Sequence, residues 1–174
     1  MSHYQWRPMR ATDLPRVMAI AADVHVGYFE AEEVFAERLA LFAPGCLIAV
    51  RSALAGEGEE VIGYAFMHPG RHGVPPALNT LLQALDPAAD CLHLHDVALL
   101  PSARGSGLGR ALVEQLLQLC RRAGLPRATL VAVHASSTYW QSAGFVEDTQ
   151  ALLHGQDSLA SYGGDARYMS RRLP

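Results

Sequence analysis

Arg104-Gly105-Ser106-Gly107-Leu108-Gly109 stands between an apolar run, Leu92 to Leu100, and a strongly periodic stretch, Leu108 to Ala123. The run reads as a strand. In the stretch that follows, Leu108, Leu112, Leu116, Leu119 and Cys120 form one stripe of a helix. A strand therefore enters a glycine-rich turn that opens a helix. Such a turn exposes several backbone N–H groups at the positive end of the helix dipole, which suits phosphate oxygens. Glycine is needed because a β-carbon would keep a ligand off the backbone. Two other phosphate-binding patterns fail here. The glycines run G-x-G-x-G rather than G-x-G-x-x-G, and no Lys-Ser/Thr pair follows them. Taken alone, the turn also reads as a helix start that is simply rich in glycine.

The rest of the chain predicts one domain, 1–174, with alternating strands and helices and no internal repeat. A length of 174 residues supports a real core, and 50% hydrophobic with 18% charged residues excludes a disordered chain. Net charge is −3, which suggests neither a nucleic-acid nor an anionic-membrane partner. The apolar runs are far shorter than a membrane span, and Met1-Ser2-His3-Tyr4 lacks the apolar stretch of a signal peptide. Cys46, Cys91 and Cys120 are widely spaced and odd in number, so they read as reduced thiols in a cytoplasmic protein.

Strands are expected at His3 to Arg7, Cys46 to Arg51, Val61 to His68, Leu92 to Leu100, Arg127 to Val133, from Phe145 to Asp148, and from Asp165 to Arg171. A polar turn, Ala55 to Glu60, makes the second and third of these a hairpin. Helices are expected from a Thr12 cap to about His25, from Ala31 to Phe42, from Leu108 to Ala123, and from Ser136 or Ser137 to Ala143-Gly144. Gly124 and Pro126 stop the long one. Pro69 to Asp90 reads as a long loop with a short helix in its apolar part, Leu78 to Leu85.

Arg-x-x-Gly-x-Gly at Arg104 to Gly109 resembles the pyrophosphate motif of the GNAT superfamily of acetyl-CoA-dependent N-acetyltransferases. Two further stretches extend the resemblance. Val97-Ala98-Leu99-Leu100-Pro101 is similar to that family's strand before the loop, and Tyr139-Trp140-Gln141-Ser142-Ala143-Gly144-Phe145 to its later aromatic and Gly-Phe signature. The resemblance implies an α/β (α+β) GNAT fold: a mixed, mostly antiparallel sheet of about seven strands flanked by about four helices. It implies acetyl-CoA as co-substrate, and no metal. The pyrophosphate would lie on Arg104, Gly105, Ser106, Gly107, Leu108, Gly109 and Arg110, and the pantetheine arm along Val97, Ala98 and Leu99 with Trp140 nearby.

His93-Leu94-His95-Asp96-Val97 resembles the matching strand of the arylalkylamine N-acetyltransferases. Residues two apart on a strand share a face, so His93 and His95 lie together, with Cys91 one step further. An alkylamine has a pKa near 10.4, so only about one molecule in ~10³ is neutral at pH 7. A base that titrates near neutrality answers this need. The resemblance implies that the pair His93 and His95 helps remove the proton. At least one of His93, His95 and Asp96 is expected to handle it, His95 and Asp96 first because they lie nearest the cofactor strand. The same residues also read as bonded core histidines, as an Asp96 that fixes histidine tautomers or caps a bulge, or as a Cys-His-His zinc site.

Trp140 fills the slot where the family usually has a general-acid tyrosine, and an indole N–H cannot do that work. Tyr162 and Tyr168 are the alternative donors. Acceptor-site candidates are His25, Tyr28, Phe29, Glu30, the Pro69 to Asp90 segment and Tyr162; of these, Tyr28, Glu30 and Tyr162 are the expected contacts. Their aromatic and acidic character suits a small amine, arylalkylamine- or polyamine-like, as the partner. A protein N-terminal or lysine acetyltransferase, and a non-catalytic acyl-CoA-binding regulator, are the other readings. A homodimer is the assembly expected if the chain self-associates.

Overall fold

The computed structural model describes residues 3–52, 58–152 and 156–174. Strand β1 (His3–Pro8) is followed by a 3₁₀ turn, Ala11–Asp13, and helix α1 (Leu14–Val24). Thr12 sits inside that turn instead of capping the helix. Asp13 takes the cap position, and its carboxylate binds the Arg7 guanidinium at 2.8 Å and the Arg10 N–H at 2.7 Å. Helix α2 (Glu32–Leu41) leads into β2 (Cys46–Ser52) and β3 (Glu59–Gly70), which pair antiparallel. The turn expected between them lies largely outside the described residues.

Strand β4 (Cys91–Leu99), helix α3 (Leu108–Ala123), strand β5 (Arg127–Ala132), the short helix α4 (Ser137–Ser142) and strand β6 (Val146–Glu147) follow in the expected order. A short helix, α5 (Gln156–Ala160), precedes β7 (Arg167–Arg172). The sequence pattern does not announce it, and it brings the α-helices among the described residues to five, in keeping with the expected sheet of about seven strands flanked by about four helices. The sheet runs β1-β2-β3-β4-β5-β7-β6, and β4 with β5 is its parallel pair.

Two cores flank the sheet. Leu112, Leu116 and Cys120 of α3 pack on Leu92, Leu94, Leu130 and Met169. Val17, Ile20 and Phe35 of α1 and α2 pack on Ile48, Tyr64, Phe66 and Ala98 on the other face. Leu116 is fully buried, so Leu116→Ala should cost about 2–5 kcal/mol of stability in a denaturant titration.

The short helix expected inside Leu78 to Leu85 is absent. Asn79 and Gln83 take left-handed φ values of 55° and 66°, which a helix cannot contain. Side chains from α2 and its approach satisfy this backbone instead. Glu37 accepts the N–H groups of Leu82 and Gln83 at 2.7 Å, Glu30 accepts that of Asn79 at 3.0 Å, and the buried Arg38 donates to Thr80 O at 2.9 Å. A satisfied backbone has no drive to coil.

Two irregularities of β4 make room for a site. In the β3–β4 register Phe66 faces Asp96 and Met67 faces Leu94, so His95 is an extra residue. This bulge reverses the alternation. Ala98 joins the α1/α2 core, yet Leu94 and Leu92, an even number of residues away, join the α3 core. On the opposite edge, β4 meets β5 only at Leu92/Ala128, His93/Thr129 and Leu94/Leu130. Beyond that point the strands diverge.

Candidate active site

The glycine turn is held in place by its neighbours. Trp6 of β1 donates its indole N–H to Leu108 O at 2.9 Å, and Ser106 Oγ donates to Ala103 O at 2.6 Å. Gly105 and Gly107 have φ of +74° and +83°, a left-handed backbone that favours glycine. A β-carbon on either would meet nothing within 4 Å, so the turn offers bare backbone to an open surface. These features fit a pyrophosphate cradle. Gly109 is glycine for a different reason: a β-carbon there would collide with the Tyr139 hydroxyl. Arg104 and Arg110 are exposed, and among the described residues Arg110 pairs with the exposed Glu114, at 3.3 Å.

A cavity of about 180 Å³ occupies the gap between the diverging strands. Leu94, Val97, Leu130, Val133 and Trp140 give it aliphatic and indole lining, and Tyr28, Leu78 and Tyr162 also border it. Glu30, His95, Asp96, His25 and His134 supply its polar groups. Of the expected strand contacts, the Val97 side chain lines this cavity; Ala98 is buried in the α1/α2 core and Leu99 packs beside Leu108.

The polar groups form two imidazole–carboxylate pairs. His95 Nε2 donates to both oxygens of Glu30, at 2.8 and 3.1 Å, and both side chains are buried. His25 Nε2 lies 2.8 Å from Asp96 Oδ1, and Tyr64 donates its hydroxyl to Asp96 Oδ2 at 2.8 Å. Burial works against the Asp96 charge, but the His25 hydrogen bond and charge, with Tyr64, prevail and hold its carboxyl below the usual range.

His93 does share a face with His95, their ring centroids 6.4 Å apart, but it does not reach the cavity. It is packed with His68, its Nδ1 lies 3.0 Å from Thr129 Oγ1, and burial pushes its pKa well below the ordinary value. That environment suits a neutral core imidazole, so His93 is corrected from a proton-handling residue to a packed one. The Cys91 thiol, raised by burial to about 11, donates to Gly70 O at 3.2 Å. No group of three or more His, Cys, Asp or Glu among the described residues is arranged to hold a metal ion.

The alternative proton donors are engaged elsewhere. Tyr168 lies outside the cavity, accepts the Gly73 N–H at 2.8 Å, and is raised by burial to about 12. Tyr162 lines the cavity, but its hydroxyl donates to Pro76 O at 3.0 Å. Trp140 is buried against Tyr139 and Phe145.

Sequence reasoning placed His25 only in the acceptor region and missed His134. The available signal was weak: a histidine at each of two element ends, 109 residues apart. His134 and Ala135 both carry left-handed φ, 53° and 55°, a strain that gathers at functional sites.

No helix among the described residues is long and apolar enough to cross a membrane. A search of curated proteins finds no match. Among solved structures, the ribosomal-protein-S18-alanine N-acetyltransferase of Escherichia coli is similar over 98% of this chain and 94% of its own, at 21% identity and a TM-score of 0.61. The phosphinothricin acetyltransferase of Sinorhizobium meliloti, in complex with AcCoA, is similar over 98% and 88%, at 22% identity and a TM-score of 0.63. The loading GNATL domain of CurA from Lyngbya majuscula reaches a TM-score of 0.74 over 98% of both chains, at 14% identity. Residues 14–145 match the Acetyltransferase (GNAT) family. That match spans most of the chain and includes both the glycine turn and the split strand pair, so this protein belongs to the GNAT family and is an acetyl-CoA-dependent N-acetyltransferase.

Proposed function

We propose that the acceptor is a small primary amine with an apolar body, seated on Glu30. One observation carries this reading. The cavity has two carboxylates, Asp96 held by His25 and Tyr64, and Glu30 held by His95 and the Asn79 N–H. Glu30 is the one that shares the α1–α2 connection with Tyr28 and the exposed Phe29, which makes it the anionic seat beside apolar surface. A single seat among aromatic and aliphatic walls suits one ammonium on an apolar body, arylalkylamine-like, better than a polyamine. Phe29 and Val26, 69% and 75% exposed, add apolar surface on the same connection as Tyr28 and Glu30.

The amine attacks the acetyl carbonyl directly, with both substrates bound at once. His95 fixes the Glu30 carboxylate, so the ammonium is oriented before it loses its proton. Val97 turns its carbonyl into the gap, and the N–H of the same strand residue points that way too, toward a developing oxyanion. The leaving thiolate, with a conjugate-acid pKa near 8.5 by analogy with cysteine, departs without a dedicated acid. Trp140→Phe should accordingly keep most of kcat, with any loss appearing as weaker acetyl-CoA binding. A fall of more than about 10³-fold in a folded, acetyl-CoA-binding variant would show that position 140 acts on the chemistry, since that lies within the range of a lost general acid.

Release of free CoA thiol over an amine panel tests the acceptor. Apolar monoamines should turn over best. Preference for polyamines would refute the single seat, and turnover only with peptides bearing a free N-terminus would move the reading to protein acetylation.

A further inference from the structure

His25, just past the end of α1, and His134, just past the end of β5, meet beside the cavity. Their rings stack at 5.4 Å with 12° between planes, and His25 Nδ1 lies 3.3 Å from His134 Nε2. The other nitrogen of His25 faces two acceptors, Asp96 Oδ1 at 2.8 Å and Val97 O at 3.1 Å. Only an N–H at Nε2 satisfies them, so Nδ1 is the atom of His25 that gains and loses a proton. His134 is exposed, lines the cavity, and rests edge-on against Tyr28 at 4.6 Å. Its Nδ1 has no partner among the described residues.

We infer that His134 takes the proton of the acceptor amine and that the His25–Asp96 pair stores it. The placement of the acceptor rests on the Glu30 reading above. An N–H bond of the amine breaks as one forms at His134 Nδ1. His134 then gives its Nε2 proton to His25 Nδ1. The resulting imidazolium lies against the Asp96 carboxylate and Val97 O, which already face it. After the product leaves, the proton returns to His134 Nε2 while Nδ1 releases one to water, and both rings are reset. One proton leaves the amine and one reaches solvent. His134 is the catalytic residue here, and His25 and Asp96 act through it.

The charged and titratable groups around the pair favour this direction. Asp96 and His95 face it from β4, Tyr28 and Glu30 from the α1–α2 connection, and Tyr64 of β3 acts through Asp96. Burial lowers His25, but the Asp96 hydrogen bond and charge, then Val97 O and Glu30, outweigh it and raise its pKa above the ordinary 6.5. Burial and the charge on His25 lower His134. A proton arriving at His134 therefore runs on to His25. The raised pKa also sets the sign of the pH profile: His25 is ready to accept only as pH climbs past its raised value. The acid limb of kcat/KM should lie above pH 6.5 and move down in Asp96→Asn.

Two readouts test the pair. In a ¹⁵N NMR titration of the free protein, His25 should titrate above His134, and Asp96→Asn should lower the His25 midpoint. His134→Gly suits the left-handed backbone and leaves a ring-sized opening. It should lower kcat/KM about tenfold near pH 7, less than for a fully buried base because water reaches the position. The loss should shrink at high pH, imidazole in the buffer should restore part of it, and acetyl-CoA affinity should hold. If that variant unfolds, His134→Asn, also tolerant of this backbone, should show the same loss. Full activity without His134, loss without imidazole rescue, or a His25 midpoint indifferent to Asp96→Asn would overturn the inference. If wild-type protein acetylates no amine, the acceptor reading fails, and the titration alone decides the pair.

Discussion

Gly107→Glu should lower acetyl-CoA affinity by about 10²-fold or more while leaving the protein folded. Two effects act, and they separate experimentally. The left-handed φ of +83° suits a side chain poorly, at about 1–2 kcal/mol, and this strain lowers stability of the free protein. A β-carbon at this position meets nothing within 4 Å, so the side chain leaves the backbone without a clash. It does put a carboxylate where a pyrophosphate would lie. Two like charges about 4 Å apart near a surface repel by about 4 kcal/mol, more than the 2.7 kcal/mol that corresponds to 10²-fold. Calorimetry reads the affinity and circular dichroism the fold. Unchanged affinity would remove this turn from the cofactor site.

Glu30→Gln should cost about 10²-fold in kcat/KM for a cationic amine, chiefly through KM. Glu30 is buried, and losing one partner of a buried charge pair costs about 2–5 kcal/mol. Glutamine keeps the shape and can still accept from His95 and the Asn79 N–H, so the loop it anchors should stay in place. His95→Gln should be milder, because an amide N–H can still reach Glu30. A His95→Gln loss that exceeds the Glu30→Gln loss, and recovers at high pH, would make His95 itself the base.

The glycine turn, α3 and the strand order were legible because each is a local pattern: φ-permissive residues at a helix start, an apolar stripe every three to four residues, alternating runs. The His95 bulge was not, since its effect is to break the alternation on which strand reading depends. It leaves Asp96 beside His95 in the cavity, whereas strict alternation would separate neighbours. The 71–90 segment misled for a related reason. Its apolar residues resemble a helix, but the carboxylates of Glu30 and Glu37 bind its amides from more than forty positions away. His25 and His134 become partners only when α1 and β5 are brought together, so spacing gave no warning.

The parting of β4 from β5 also governs how this protein holds together. Three register pairs, with α3 packed across them, form the seam between a four-strand plate, β1 to β4, and a three-strand plate, β5, β7 and β6. A ligand lodged in the gap touches both plates and rivets them. Binding of this kind is drawn directly into folding stability, about 2.7 kcal/mol when the ligand stands at a hundred times its Kd. Co-substrate supply then becomes a determinant of how long the enzyme lasts. Acetyl-CoA should therefore raise the melting temperature in a concentration-dependent way, and its removal should speed digestion by an added protease.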